Sequence, residues 1–332
     1  MARVRRRPGP RGPAARRGLV RAAALTGLGS HRPAHRADNT AIAAAIDSSD
    51  AWIRERSGIV TRGVAASDES VVDMAVSAGG KALASAGVDP TDVGLVMVAT
   101  CTLTHAVPGA AARVATALDL SNAGALDLGA ACAGFTYGLA LAADAVRCGS
   151  ADNVLVIGSE KFSDILNMDD RSTSFLFGDG AGAGVVGVCD VDGISKPVWS
   201  SDGSQSDVLR TVGSPPLLEM EGQAVYRWAT SMLPGFARAT CERAGITLED
   251  LAAVVPHQAN LRITESMVRA LKLPPHVVVA RDVIDSGNTS AASIPLALDR
   301  LRETGEVHRG DSVLLLGFGA GLTAAGQVVR CP

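Results

Sequence analysis

Three residues far apart in the chain carry side chains suited to acyl and carbanion chemistry: Cys132, His257 and Asn288. Each stands just after a stretch that reads as an apolar strand and ahead of one that reads as a helix. Cys132 lies in "DLGAACAGFT", among very small residues and directly before an Ala- and Leu-rich run that ends near Cys148. A thiol in the first turn of a helix meets the positive end of the macrodipole and free backbone N–H groups, which favour the thiolate and lower the pKa. That placement suits a nucleophile. A structural cysteine on a close-packed strand-to-helix turn accounts for the small neighbours equally well. His257, in "VVPHQANLR", reads either as a functional donor or as a hydrogen-bonded structural histidine. Asn288, in "DSGNTSAAS", follows a glycine and is also ordinary turn chemistry.

What must position these residues is a set of elements that occurs twice. "SAGVDPTDVGLVMVATC" from Ser85 and "RAGITLEDLAAVVPHQA" from Arg243 share a helix end at Ala-Gly, a short acidic turn and an apolar strand, at an offset of 158. "ALDLGAACAGFTYGLALAADAV" and "VVARDVIDSGNTSAASIPLALDRL" each read as strand, tight turn and helix, and set Cys132 opposite Asn288 at an offset of 156. "FLFGDGAGAGVVG" and "LLGFGAGLTAAGQVV" close each half with a glycine-rich turn beside an apolar strand. Strand runs such as "VLVIGSE" alternate with helical patterns such as "VVDMAVSAGGKALASAG", the signature of mixed or parallel sheets covered by helices. The expectation is an α/β protein of two duplicated halves, one spanning 19–190 with the cysteine and one spanning 191–332 with His257 and Asn288. Ligands of open α/β sheets bind at the carboxyl ends of strands, so the duplication should bring the three residues together.

Composition narrows the class further. The chain has 332 residues, 47% of them hydrophobic and 20% charged, enough for one large core or two fused smaller ones. No apolar run reaches the ~20 residues of a membrane span, and the arginine- and proline-rich start does not resemble a secretory signal, so a cytoplasmic protein is expected. Six cysteines without C-x-x-C pairs or histidines at metal-ligand spacing read as free thiols, with no metal site and no bound cofactor. Met1 to Arg21 holds eight arginines and no acid; set against a net charge of -3, this leaves an acidic body that argues against nucleic acid as the main ligand. Residues 1–18 should form a disordered arm.

Taken together, "ACAGFTYG", "PHQANLRI", "SGNTSAAS", "FGDGAGAG" and "GFGAGLT" closely resemble β-ketoacyl-acyl-carrier-protein synthase III, a thiolase-fold condensing enzyme, from about Leu19 to Val329. The resemblance implies a thiolase-like fold of mixed sheets layered between helices (α-β-α-β-α). It implies that Cys132 takes a starter acyl group from acyl-CoA. His257 and Asn288 would then stabilise the enolate formed as malonyl-acyl-carrier protein loses CO2, and the backbone N–H groups of Cys132 and Ala320 would form an oxyanion hole. Trp52 and Arg171 match residues that sandwich the CoA adenine, with Arg56 near the phosphates. Arg227, Arg262 and Arg269 match a docking face for the acidic carrier protein, and Tyr226 a position beside the substrate tunnel. Val107 stands where well-known members carry a bulky aromatic at the acyl pocket, which predicts room for longer or branched starters. The family also implies a homodimer that shares pocket residues across its interface.

Other readings of the same residues are an acyltransferase that moves the acyl group without forming a carbon–carbon bond, and a silent ketosynthase partner. Asn288 argues against the first, since simple transfer forms no enolate, and Cys132 against the second. Thiolase is disfavoured because "GFGAGLT" lacks a second cysteine, and a chalcone-synthase type because its surrounding motifs fit less well.

Overall fold

The computed structural model describes residues 21–105 and 107–332, so the expected arm at 1–18 lies outside the described residues. The first half contributes β1 (Ala22–His31), β2 (His35–Asp38), β3 (Thr61–Val64), β4 (Leu95–Ala99), β5 (Gly124–Leu128), β6 (Asn153–Glu160) and β7 (Gly180–Cys189). Its helices are α1 (Thr40–Ala45), α2 (Asp50–Ser57), α3 (Val71–Ala86), α4 (Ala110–Ala117) and α5 (Gly134–Cys148). The second half adds β8 (Val198–Ser201), β9 (Leu209–Val212), β10 (Leu217–Met220), β11 (Ala253–Pro256), β12 (Val278–Val279), β13 (Ser312–Gly319) and β14 (Thr323–Arg330). Its helices are α6 (Gly222–Ala244), α7 (Leu261–Leu271), α8 (Val283–Ser286) and α9 (Ser293–Glu303).

Two five-stranded mixed sheets repeat one plan, in the orders β1-β7-β6-β4-β5 and β12-β11-β13-β14-β8. In each, the strand next to one edge runs parallel to both its neighbours (β4 with β5 and β6, β11 with β12 and β13), while β7 and β14 run antiparallel. Helices α3 and α4 cover the outer face of the first sheet, and α6 and α7 that of the second. Between the sheets lie α5 and α9, where Phe135, Leu139, Ile294 and Leu298 join Val156 and Leu315 in one apolar cluster. The order is the expected α-β-α-β-α layering.

Local chemistry accounts for the helix ends. Ser70 and Asp73 form a reciprocal capping box at the start of α3, and Gly87 ends that helix in the left-handed region at φ 65°. The small residues at the start of α5 are a packing requirement. A Cβ on Gly134 would lie 2.6 Å from the Cβ of Ala99, and one on Gly138 would lie 2.6 Å from a methyl of Val156. Only glycine lets the helix sit this close to the sheet.

The duplication is real but its register differs from the sequence alignment. The short 3₁₀ turn Ala131–Ala133 ahead of α5 corresponds to Ser290–Ala292 ahead of α9, an offset of 159. Cys132 is therefore matched by Ala291, and Asn288 by Gly129. Nor does Asn288 directly follow a strand: β12 has only two residues, and the single-turn α8 intervenes. Just ahead of α8, buried Asp282 is tied by ion pairs to Arg32 at 3.2 Å and Arg300 at 2.8 Å.

Candidate active site

Each elbow is seated in the other half's central strand. Gly319, at the end of β13, lies against Cys132, where an added Cβ would stand 2.7 Å from the cysteine Cβ and 3.0 Å from Sγ. Gly158 of β6 lies in the same way against the backbone of Ala291. The first residues of the two turns, Ala131 at φ 43° and Ser290 at φ 47°, are both left-handed without being glycine. Such strain persists only where the surroundings over-determine the backbone, and here it aims Cys132 at the junction of the halves.

Burial dominates the electrostatics of that thiol. Cys132 is 6% exposed, and loss of solvation pushes its pKa up to about 12. The Ser290 hydroxyl and the backbone N–H groups of Cys132 and Ala320 pull in the opposite direction without overcoming it. This corrects the expectation of a lowered pKa: the helix terminus is a local effect, and the desolvation imposed by both halves outweighs it. At rest Cys132 is a neutral thiol.

His257 is 2% exposed at the end of β11, and burial lowers its pKa to about 3, so the ring is neutral. Its Nδ1 is 2.7 Å from Ser293 Oγ, which also accepts the Gln258 amide at 3.3 Å. Phe318 meets the ring edge-to-face at 5.2 Å. Asn288 is 6% exposed, and its Oδ1 accepts the Ser290 amide at 2.9 Å, which leaves the Nδ2 protons free for a ligand.

Cys132, His257 and Asn288 share one cavity of about 550 Å³ with Trp52, Arg171 and Tyr226, in the size range of small-molecule sites. The Arg171 guanidinium stands 4.7 Å from the Trp52 ring centroid and that of Arg56 5.4 Å, while Phe175 packs edge-on against the same ring at 5.2 Å. Arg262 lies 5.4 Å from the Tyr226 ring and, with Arg227, lines the same cavity. Arg269 is exposed two turns further along α7, outside the lining.

Val107 does not line the cavity of its own chain; it is 87% exposed, between β4 and α4. The Asp127 carboxylate on β5 accepts the Ala110 and Ala111 amides at 2.8 and 2.7 Å, which pins α4 to the sheet edge and leaves the residues before it standing proud. Sequence reasoning missed Ser290, Ser293, Phe318 and Glu160. The two serines were visible inside "SGNTSAAS", whereas nothing in the sequence distinguishes Glu160 from an ordinary acidic residue ending a strand. Among the described residues no cluster of three His, Cys, Asp or Glu side chains is arranged to hold a metal, and no helix is long and apolar enough to cross a membrane.

Duplicated layers with a buried thiol and two neutral donors at their junction define a thiolase-fold condensing enzyme. The sequence model described as 3-oxoacyl-[acyl-carrier-protein] synthase III matches residues 126–203, and that for the C-terminal part of the same enzyme matches residues 241–331. A Streptomyces coelicolor protein named beta-ketoacyl-[acyl-carrier-protein] synthase III 4 is 51% identical over 93% of this chain and 98% of its own length. The mycobacterial beta-ketoacyl-[acyl-carrier-protein] synthase III of Mycobacterium avium is 44% identical over 93% and 95%. Among solved structures, the priming β-ketosynthase of the R1128 polyketide biosynthetic pathway superimposes with a TM-score of 0.93 at 45% identity, covering 98% of this chain and 99% of that one. The 3-oxoacyl-[acyl-carrier-protein] synthase III of Aquifex aeolicus gives 0.88 at 35% identity, covering 93% and 99%. The chain belongs to the 3-oxoacyl-[acyl-carrier-protein] synthase III family.

Proposed function

We propose that this chain primes fatty-acid or polyketide synthesis by a two-stage reaction in one cavity. The Cys132 sulfur attacks the carbonyl of a starter acyl-CoA, the C–S bond to CoA breaks, and the acyl group stays on the enzyme as a thioester. Malonyl-acyl-carrier protein then loses CO2, and the resulting enolate carbon attacks the acyl-Cys132 carbonyl to release β-ketoacyl-carrier protein. The observation that carries this reading is the pairing of a buried thiol with two neutral donors. Neutral His257 and the free Nδ2 of Asn288 can donate to an oxygen gaining negative charge without surrendering a proton. We assign the His257 proton to Nε2, because the Gln258 amide already donates to Ser293 Oγ and leaves the serine hydroxyl free to donate to Nδ1. The N–H groups of Cys132 and Ala320 serve as the oxyanion hole of the first stage.

Trp52, Arg171 and Arg56 take the nucleotide end of CoA, and Arg227, Arg262 and Arg269 meet the acidic carrier protein. A homodimer is supported by β5, an edge strand of the first sheet that is exposed along nearly its whole length and carries Leu126 at 41% exposure. Val107, beside that edge, would then reach the acyl pocket of a second copy. The free cysteines fit a cytoplasmic setting, and no cofactor beyond the two thioester substrates is needed.

The test is a panel of acyl-CoAs with mass spectrometry of the Cys132 peptide, followed by malonyl-carrier protein and measurement of CO2. An adduct that then condenses is expected. A stable adduct with no CO2 release would make the chain a simple acyltransferase and overturn the second stage.

A further inference from the structure

The two donors of the cavity stand on separate segments, His257 just past β11 and Asn288 beyond the single-turn α8. One side chain outside the cavity joins them. Gln258 is 1% exposed and does not line the cavity, although its neighbours His257 and Ala259 both do. The need for it begins at Pro256. β11 and β12 pair in parallel, and the Val278 and Ala280 amides donate to the Ala252 and Val254 carbonyls at 2.8 and 3.0 Å. The next rung would take a backbone N–H from position 256 to the Ala280 carbonyl, and proline has none. The ladder stops there, so β12 has only two residues. Gln258 supplies the missing donor: its Nε2 lies 2.7 Å from the Pro256 carbonyl oxygen and 3.3 Å from that of Ala280.

The oxygen of the same amide reaches the segment of the other donor. Oε1 accepts the Val283 amide at 3.1 Å, the first N–H of α8, to which the N-cap residue Asp282 gives no side-chain bond. The Val283 carbonyl in turn accepts the Gly287 amide at 3.1 Å, and Asn288 is the next residue. Both protons and the oxygen of this buried amide are thus engaged between the His257 segment and α8. Asn288 is held from its other sides by the first half of the chain and by the elbow. Its amide donates to the Leu176 carbonyl at 2.8 Å, and its carbonyl accepts the Gly178 amide at 3.0 Å. Ser293 ties the elbow to His257 Nδ1 at 2.7 Å. Buried Glu160 backs the elbow, with Oε1 3.5 Å from the Ala291 amide and Oε2 accepting the Thr100 hydroxyl at 3.1 Å.

We propose that Gln258 is a positioning residue for carbon–carbon bond formation: by bridging Pro256 and Ala280 to α8 it sets the separation of His257 and Asn288, so that both donors reach one thioester oxygen. Gln258 touches no substrate and moves no proton; it acts through the two donors. Both must point at the oxygen that gains charge as CO2 leaves, and a displacement of about 1 Å in such a pair costs about 10²-fold in rate. Acyl transfer does not depend on this span. Cys132 is seated on Gly319 of β13, and the turn Ala131–Ala133 makes no use of α8 or β12.

This inference rests on the proposed condensation, and wild-type protein carried through the same assays separates the two. Gln258→Met is close in size and removes every hydrogen bond of the amide. Gln258→Glu, with its carboxyl held neutral by burial against two carbonyls, keeps the acceptor and one donor. The measurements are single-turnover acylation of Cys132 by acetyl-CoA followed by intact mass, kcat and KM for CO2 release from malonyl-carrier protein, and the melting temperature. Gln258→Met is expected to lower kcat for CO2 release about 10²-fold, with KM and the acylation rate within about twofold of wild type. Gln258→Glu should recover part of kcat. A glutamine that only supports the fold would depress both stages together along with the melting temperature; that result, or CO2 release at the wild-type rate in Gln258→Met, would overturn the inference. If Gln258→Met does not fold, Gln258→Glu decides: a loss confined to CO2 release supports the positioning role, and an equal loss in both stages or none overturns it. Unaffected variants beside an active wild type would leave the condensation standing and remove Gln258 from it. A wild type that acylates but releases no CO2 would overturn the condensation and this inference together.

Discussion

The side-chain oxygen of Asn288 is held by the backbone amide of Ser290 at 2.9 Å, so the asparagine can offer the cavity only its two amide protons. An aspartate at this position would present negative charge to the developing enolate. Asn288→Asp is expected to lower malonyl decarboxylation by about 10² to 10³ while leaving the Cys132 acyl adduct intact, because only the second stage uses the donor. Quench-flow measurement of CO2 beside intact-mass detection of the adduct separates the two stages. Equal loss in both would contradict the assignment.

His257 should leave no mark on the activity profile near its ordinary pKa. Burial places it at about 3, so the neutral donor persists through weakly acidic conditions, and malonyl decarboxylation should show no acid limb at about 6.5. Stability behaves differently. Between about 6.5 and about 3 the unfolded chain binds a proton here that the folded chain refuses, so stability falls as pH drops through that window. Urea titrations at several pH values should show this slope flattened in His257→Ala.

The guanidinium of Arg171 lies directly on the Trp52 ring at 4.7 Å, leaving no room for a third planar group. A nucleotide base must part them and then recover the stacking with each. Trp52→Ala should raise KM for acyl-CoA about tenfold with a much smaller effect on kcat, since such contacts contribute about 0.5 to 2 kcal/mol remote from the chemistry. A fall in kcat at unchanged KM would remove the pair from the nucleotide site.

Asp127 carries the start of α4 on both carboxylate oxygens. Asp127→Ala should cost about 1 to 2 kcal/mol by loss of these cap bonds, read as a lower melting temperature. Because the same cap sets the segment holding Val107, starter preference should change as well. Val107→Phe, which leaves the cap intact, should shift preference towards shorter acyl-CoAs at unchanged stability, as measured by competition between acetyl- and isobutyryl-CoA.

Much of this site was legible in the sequence because its signals are local. Small residues before Cys132 announce a helix pressed against a sheet, and the echoed strand-turn-helix units announce two halves. The rest turned on tertiary terms. Matching Cys132 with Asn288 followed helix composition, whereas the elbows themselves align three residues away. The thiol pKa turned on desolvation by both halves, which no stretch of "DLGAACAGFT" reveals. The exposure of Val107 depends on how β5 and α4 are tied together, and the setting of Glu160 on contacts with residues from Thr100 to Ala291.

The crossed seating of the elbows makes the halves mutual moulds. Gly319 provides the surface against which the first half's nucleophile turn closes, and Gly158 does the same for the second half's donor turn. A chain severed between the halves would yield fragments each missing the socket for its own turn, so the catalytic geometry can form only by co-folding. Drift in the side chains at one elbow is tolerable, but a methyl group added at either glycine would jam the partner's backbone or thiol. The ancestral duplication is thus locked in, with the two copies free to diverge in chemistry and unable to part.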